Sequence, residues 1–500
     1  MSKSMRYRAV IGSGLMLLAV LIFSVSDTRS ASSSSAQGAV CQLRPQEAPI
    51  PSHAKTRVIR SGRHTAAHQD SDQPVFSTLV QSLDAPWLQV NFGETNLGHN
   101  SYVRLTSVSD GAVQKLDADT LATWHNQSAM FNGDAIKIEL FAAPDDGAVF
   151  FDVKSLTVGD WVGGVPLHTS RPMVAQLPSA DPQQLDVTHY NPDMVCGADD
   201  RVASTDNAVG RVMPAGCTGW VVSNGAFLTA GHCVVAGMTS IQFNVPASNA
   251  DGTINAPPPQ DQFPINGSNF VSMNGGEGND WAVFQVNRNA TTGTTAPLLY
   301  GAFYRIRPQD QPATVRVTGY GVDGPAPCFG ESRQGGCNVP TPTPVPLNAD
   351  SQTQQTATGA GQGRQGLIFY HDVDITGGDS GAPVRFTDSP IAVAIHTHGT
   401  SIADCTTGHN GGTAFTNLGL ANAVNAFPGT VVRYVDAGYP AWTTEDGTVF
   451  RPFNLLAEGI TSIASGGIVS VVAGHYNEPL TIDKGVILEA PVGTVVIGAP

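Results

Sequence analysis

Through most of the chain, hydrophobic and polar positions alternate in short runs with a period of two. Leu88, Val90 and Phe92 alternate with Gln89 and Asn91, and Ile136, Ile138 and Leu140 alternate with Lys137 and Glu139. Such runs predict strands with one buried face. Asp110-Gly111, Asn132-Gly133 and Asp146-Gly147 separate them with residues suited to hairpin turns, so residues 75–161 are expected to form a small antiparallel β-sandwich. Further strands are expected at 219–222 and 226–230, joined by Asn224-Gly225, at 281–286, and from Thr314 to Val317. A three-residue step appears late: Leu418, Ala421, Val424 and Phe427 predict a short helix after Asn417 that stops at Pro428-Gly429.

Composition sharpens this picture. Charged residues make up 13% of the chain, against 54 glycines and 34 prolines, a balance that favours many turns over long helices and an all-β extracellular protein. A length of 500 residues suggests about three domains. The net charge of −15 excludes nucleic acid and anionic membrane surfaces as main partners, because both require basic stripes. Lys3, Arg6 and Arg8 precede an apolar run from Ala9 to about Val25. Residues 1–31 therefore read as a secretory signal peptide, and the protein as secreted. Gly12, Ser13 and Gly14 break the run, and a permanent span takes about 20 apolar residues. No stable membrane span is expected after signal removal, and anchoring by an uncleaved N-terminus is the lesser alternative. Residues 32–74 and 162–195 lack apolar periodicity and read as a linker or pro-segment and as an interdomain linker, and the Pro/Thr/Gln/Gly-rich stretch between Gly324 and Gly366, equally without periodicity, reads as a long surface insertion.

Candidate chemistry centres on Thr376-Gly377-Gly378-Asp379-Ser380-Gly381-Ala382-Pro383. A serine among glycines can meet a carbonyl closely, but its hydroxyl needs a base and N–H groups to receive the developing charge. The base is offered by His232 in Leu228-Thr229-Ala230-Gly231-His232-Cys233, and an orienting carboxylate by Asp280 in Asn279-Asp280-Trp281. The order His, Asp, Ser, with gaps of 48 and 100 residues, is one that builds a nucleophile–base–orienter set.

Thr-Ala-Gly-His-Cys and Gly-Asp-Ser-Gly resemble the active-site motifs of trypsin/chymotrypsin-like serine proteases over residues 196–430. The resemblance implies a two-barrel domain, a serine endopeptidase acting on protein or peptide substrates through an acyl-enzyme, and no cofactor or metal. It implies that Ser380 attacks, His232 moves the proton, Asp280 orients it, and the N–H groups of Gly378 and Ser380 form the oxyanion hole. A Cys217–Cys233 disulfide and a closing helix fit the same family. Arg201-Val202 is a candidate activation cleavage, whose new amino terminus would pair with Asp379 as in a zymogen. Cys328 and Cys337 are spaced to close a local loop, while Cys41, Cys196 and Cys405 leave an odd cysteine count.

Two positions bear on specificity. Asp374 stands six residues before Ser380, where the trypsin-like resemblance puts the carboxylate at the pocket base. This favours cleavage after Arg or Lys. Ala394-Ile395-His396-Thr397-His398-Gly399 resembles the pocket strand of glutamyl endopeptidases such as the staphylococcal V8 protease, in which the histidine binds an acidic side chain. The Glu/Asp-specific alternative is weighed almost evenly. By position, Thr397 would brace Asp280 and Gly399 would offer its backbone to extended substrate. Residues 431–500 resemble the opening of a right-handed parallel β-helix. The flanking segments suggest a surface glycan or protein partner, with Trp87, Trp124 and Phe131 as sugar-stacking candidates, and a surface-binding protein with an incidental protease unit is the rival reading.

Overall fold

A computed structural model describes residues 44–45, 50–65, 73–162, 195, 199–308, 310–323, 348–399, 408–429, 431–440 and 444–498. The apolar N-terminal run, Cys41, Cys196, Cys328, Cys337 and Cys405 lie outside these residues. No helix among the described residues is long and apolar enough to cross a membrane.

The alternating runs become two four-stranded sheets facing each other. One orders Ser52–Arg60, Phe150–Gly159, Trp87–Asn96 and Phe131–Asn132, and the other Phe76–Gln81, Ala135–Phe141, Tyr102–Ser107 and Val113–Leu116. Their inward residues, among them Leu88, Val90, Phe92, Ile136, Ile138 and Leu140, make one core. The sandwich starts earlier than the expected boundary at 75, because Ser52–Arg60 pairs along Phe150–Gly159. That strand is exposed along most of its length, so it is held by backbone hydrogen bonds and shows no apolar alternation. Trp87, Trp124 and Phe131 are 2%, 3% and 1% exposed, which makes them core residues and removes them as sugar platforms.

Six antiparallel strands close a first barrel in the order Val209–Pro214, Cys217–Val221, Phe227–Thr229, Asp280–Val286, Gln262–Asn274 and Met238–Gln242. A second six-strand barrel runs Thr314–Gly319, Gln355–Gln365, Ile368–His371, Asn410–Ala414, Ile391–Gly399 and Pro383–Phe386. Its strand Gln355–Gln365 falls in a Gln/Gly-rich stretch expected to be a surface insertion, yet it pairs with both neighbours. The closing helix is Leu418–Asn425, capped by the Asn417 side chain, which accepts the Leu420 N–H. It buries Leu420 and Val424 and leaves Leu418 outside.

The flanking segments share packing with the barrels. Gln262 of the first barrel exchanges hydrogen bonds with the Met130 backbone at 3.0 and 2.9 Å, and Asn132 does the same with Ala256. On the other side, Val432–Val435, Ile468–Val471 and Ile487–Glu489 pair in parallel. Their segment is tied to the second barrel by a two-pronged Arg305–Asp436 ion pair at 2.6 and 2.8 Å, and Val432, Tyr434 and Phe450 join the core around Trp220 and Phe415.

Candidate active site

His232 is the second residue of the short helix Gly231–Val235, which follows the strand Phe227–Thr229 after Ala230, so the strand end fixes where its ring starts. Cys233 is disulfide-bonded to Cys217 on the neighbouring strand. Asp280 begins the strand Asp280–Val286 and is fully buried. One carboxylate oxygen accepts the His232 backbone N–H at 2.8 Å and the other lies 2.6 Å from His232 Nδ1. With Nδ1 donating to a carboxylate, the neutral ring keeps its lone pair on Nε2. That nitrogen is buried and has no hydrogen-bond partner among the described residues, so no His232–Ser380 bond is made in this state. Such bonds commonly tighten only when substrate is present.

Ser380 is held by its backbone across the two barrels. Its carbonyl accepts the Thr218 N–H at 2.9 Å, and the next residue, Gly381, donates to the His396 carbonyl at 2.8 Å. Gly378 has φ +103°, and a Cβ there would stand 2.5 Å from both Gln352 Nε2 and the Tyr320 carbonyl. The turn therefore requires glycine. Asp379 is buried and accepts the Thr376 N–H at 2.8 Å.

Beside Asp379 lies the Arg201 side chain, itself 3% exposed. Its guanidinium donates to Thr376 Oγ1 at 2.8 Å and to Asp199 at 2.7 Å. Arg201 Nη1 and Asp379 Oδ2 flank the same point, 2.9 and 2.5 Å from where a Gly321 Cβ would be. Burial raises the Asp379 carboxyl to about 6 while the Arg201 charge pulls it down. Val202 pairs with Thr356 in a sheet. The expected activation cleavage would thus have to extract a buried side chain, and in the intact chain the Arg201 charge already acts on Asp379.

The remaining predicted site residues divide into separate groups. Asp374 accepts the Asp200 backbone N–H at 3.1 Å. The Asp200 carboxyl is itself held above its ordinary range by burial and the Asp199 charge, with a hydrogen bond to Asp374 acting the other way. Thr397 does not reach the Asp280 carboxylate: its hydroxyl is 2.8 Å from His398 Nδ1 and faces the Gly411 carbonyl. Asp280 is braced instead by Thr413, whose hydroxyl donates to its carbonyl at 2.8 Å and accepts its N–H at 3.2 Å. His398 Nδ1 stands 3.9 Å from the Asp280 carboxylate, and burial pulls His398 down to about 4. His396 is fully buried beside His371, with His371 Nε2 and His396 Nδ1 3.2 Å apart. Gly399 and His398 pair with Arg44 and Pro45.

His371, the bracing role of Thr413 and the charged role of Arg201 were missed from sequence; Thr413 lies in Asn410-Gly411-Gly412-Thr413-Ala414-Phe415, a stretch that resembles the glutamyl endopeptidases, but nothing in it marks the partner of Asp280. Among the described residues one set of side chains has metal-ligand spacing, Cys217, His232 and Cys233. Both cysteines are spent in the disulfide, which leaves no thiolate to bind an ion.

Residues 194–419 match the protein-family model described as Trypsin. This segment is a trypsin-like serine endopeptidase domain. No curated protein matches the chain. Among solved structures, a Glu endopeptidase in complex with MPD is 18% identical, with a TM-score of 0.31, covering 46% of this chain and 97% of its own. The protease Anisep from Arthrobacter nicotinovorans is 14% identical, with a TM-score of 0.28, covering 43% and 93%. The trypsin-like domain contains both barrels, and the matched span ends within the closing helix.

Proposed function

We propose that the trypsin-like domain is a glutamyl endopeptidase in which Ser380 attacks, His232 takes and returns the proton, and Asp280 orients the imidazole. The N–H groups of Gly378 and Ser380 receive the oxyanion, and His396 receives the acidic side chain of the substrate.

The buried Nε2 of His396, which has no hydrogen-bond partner among the described residues, carries the specificity reading. Its protonation follows from its neighbours. The Val373 backbone N–H donates to His371 Nδ1 at 3.3 Å, so a neutral His371 carries its proton on Nε2 and donates it to His396 Nδ1. His396 must then carry its own proton on Nε2. Burial lowers His371 to about 4 and His396 well below its ordinary value, which keeps both rings neutral. A buried N–H without an acceptor is costly, and a glutamate carboxylate would satisfy it with a charge-assisted bond.

The sequence alone leans towards basic substrates through Asp374, and that reading stays as the alternative. Its support weakens because Asp374 is already engaged by Asp200. An exported protein remains part of the proposal, since the disulfide requires an oxidising compartment.

The test is kcat/KM on matched peptides that differ only before the cut, with Glu, Gln, Asp, Arg, Lys or Phe, and with the Ser380→Ala chain as control. Glu preferred over Gln by about 100-fold or more, and lost in His396→Ala, is expected for a charged side chain meeting a buried donor. Preference for Arg and Lys would return the pocket to Asp374.

A further inference from the structure

The strand Ile391–Gly399 pairs with Pro383–Phe386 only as far as Ile395, opposite Pro383. Upstream of Pro383 the partner chain bends away into the Ser380 turn, with Gly381 making the last contact at the His396 carbonyl. From Thr397 onward the edge on the Ser380 side therefore has no partner among the described barrel strands, while the opposite edge continues to pair with Gly411. An open edge beside a nucleophile is where an extended peptide adds as a strand. To present its scissile carbonyl to Ser380, such a peptide must run antiparallel, with its chain direction from Gly399 towards His396.

That edge is occupied by the chain itself. Arg44 pairs with Gly399 and Pro45 with His398, antiparallel, so the segment advances towards the Ser380 turn in the direction required of a substrate. Proline has no N–H to donate. Since hydrogen-bonded and non-hydrogen-bonded pairs alternate along an antiparallel ladder, Arg44–Gly399 is the hydrogen-bonding pair. Further along, Ile50 donates its N–H to the Pro214 carbonyl at 3.0 Å and packs with Met213 and Trp87, which anchors the downstream end between barrel and sandwich.

We propose that Arg44–Pro45 is a built-in occupant of the substrate edge, so that the full chain blocks its own cleft with an extended segment bound as a substrate binds. This rests on the serine endopeptidase reading of Ser380. The Arg201 side chain already donates to Thr376 of the Ser380 turn, so the block acts at substrate access.

Arg44→Pro in the full chain removes the one N–H that the pairing uses, while Arg44→Ala keeps it. The expected result is a rise of about tenfold in kcat/KM on a Glu peptide for Arg44→Pro, the weight of one or two backbone hydrogen bonds, with Arg44→Ala near the parent. A small fluorophosphonate, which needs no extended strand, should label Ser380 at similar rates in all three. Equal kcat/KM in all three chains overturns the proposal. Absence of labelling in every chain would instead overturn the endopeptidase reading. Amide hydrogen exchange on the Ser380→Ala chain then decides the strand contact independently of turnover: slow exchange at Arg44 that becomes fast when saturating Glu peptide is added supports it, and fast exchange at Arg44 without peptide refutes it.

Discussion

Replacing Arg201 by Met tests whether its charge is what keeps Asp379 ionised beneath the Ser380 turn. The two groups flank one point at 2.9 and 2.5 Å, so they lie within about 5.4 Å, and at an effective dielectric of ~20 their attraction is ~3 kcal/mol. Asp379 titrates at about 6, against 3.8 for the ordinary group. Losing ~3 kcal/mol corresponds to about two further pH units, towards ~8. At pH 7 the cost from Asp379 is then capped at roughly 1.4 kcal/mol, because taking up a proton becomes easier than holding a buried charge.

The pH dependence is the sharper readout. A carboxyl whose folded-state value is raised binds more protons folded than unfolded, so stability falls as pH rises from the unfolded value to the folded one. In the parent this fall runs from 3.8 to about 6 and then stops. In Arg201→Met it continues to ~8, adding a loss of about 3 kcal/mol between pH 6 and 8. Urea unfolding at pH 6, 7 and 8, in the Ser380→Ala background to prevent self-digestion, measures this. The Arg201 contacts to Thr376, Val322 and Asp199 add a loss largely independent of pH. If parent and variant lose stability in parallel across that range, Arg201 is not the counter-charge of Asp379.

Other outcomes follow from the same geometry. Gly378→Ala puts a Cβ 2.5 Å from Gln352 and Tyr320 at φ +103°, so it should cost about 1–3 kcal/mol in strain. It should also lower kcat by about 10²–10³ if the Gly378 N–H is an oxyanion donor, and an unchanged kcat would remove it from that role. Replacing Cys217 and Cys233 by Ser opens a loop of sequence separation 16 and should cost about 3 kcal/mol in urea unfolding; a loss below about 1 kcal/mol would show that the loop is restrained without it. Below pH 6.5 the parent should lose stability, because His371 and His398 are lowered from 6.5 to about 4 and the unfolded chain takes up their protons first. Asp379 acts in the opposite sense, but two histidines each lowered from 6.5 to about 4 outweigh one carboxyl raised from 3.8 to about 6. Rising stability on acidification to pH 4 would mean that these rings charge in the folded protein.

The parts legible in the sequence are those written in side-chain periodicity or in a local motif. Alternation located the strands of the sandwich, and the His-Cys and Gly-Asp-Ser-Gly motifs fall at strand ends of the first and the second barrel, because each motif is a short stretch whose backbone shape and chemistry coincide. The Asn417 cap and Val424 located the closing helix, though Leu420 rather than Leu418 faces the core. Pocket chemistry was less legible. His396 was visible as a candidate, but its proton position depends on His371, reached only through the pairing of Ile368–His371 with Asn410–Ala414 and of that strand with Ile391–Gly399. Likewise Thr413, 133 positions from Asp280, becomes its brace only once the two barrels meet.

Two of the segments without periodicity, expected to be a linker and an insertion, hold three strands: Arg44–Pro45, Ser52–Arg60 and Gln355–Gln365. Their common feature is that backbone pairing, which asks for no side-chain periodicity, positions them. Side-chain burial contributes little along Ser52–Arg60, where nearly every residue is exposed. Polar sequence is what an edge segment needs if it is to leave its place without exposing a core. Ser52–Arg60 is fixed by a long ladder on the sandwich, whereas Arg44–Pro45 is held by two residue pairs. A substrate able to form a longer ladder on the same edge of Ile391–Gly399 would therefore displace Arg44–Pro45 while Ser52–Arg60 stays paired, and the short strand confers reversible control of the cleft without unfolding the sandwich.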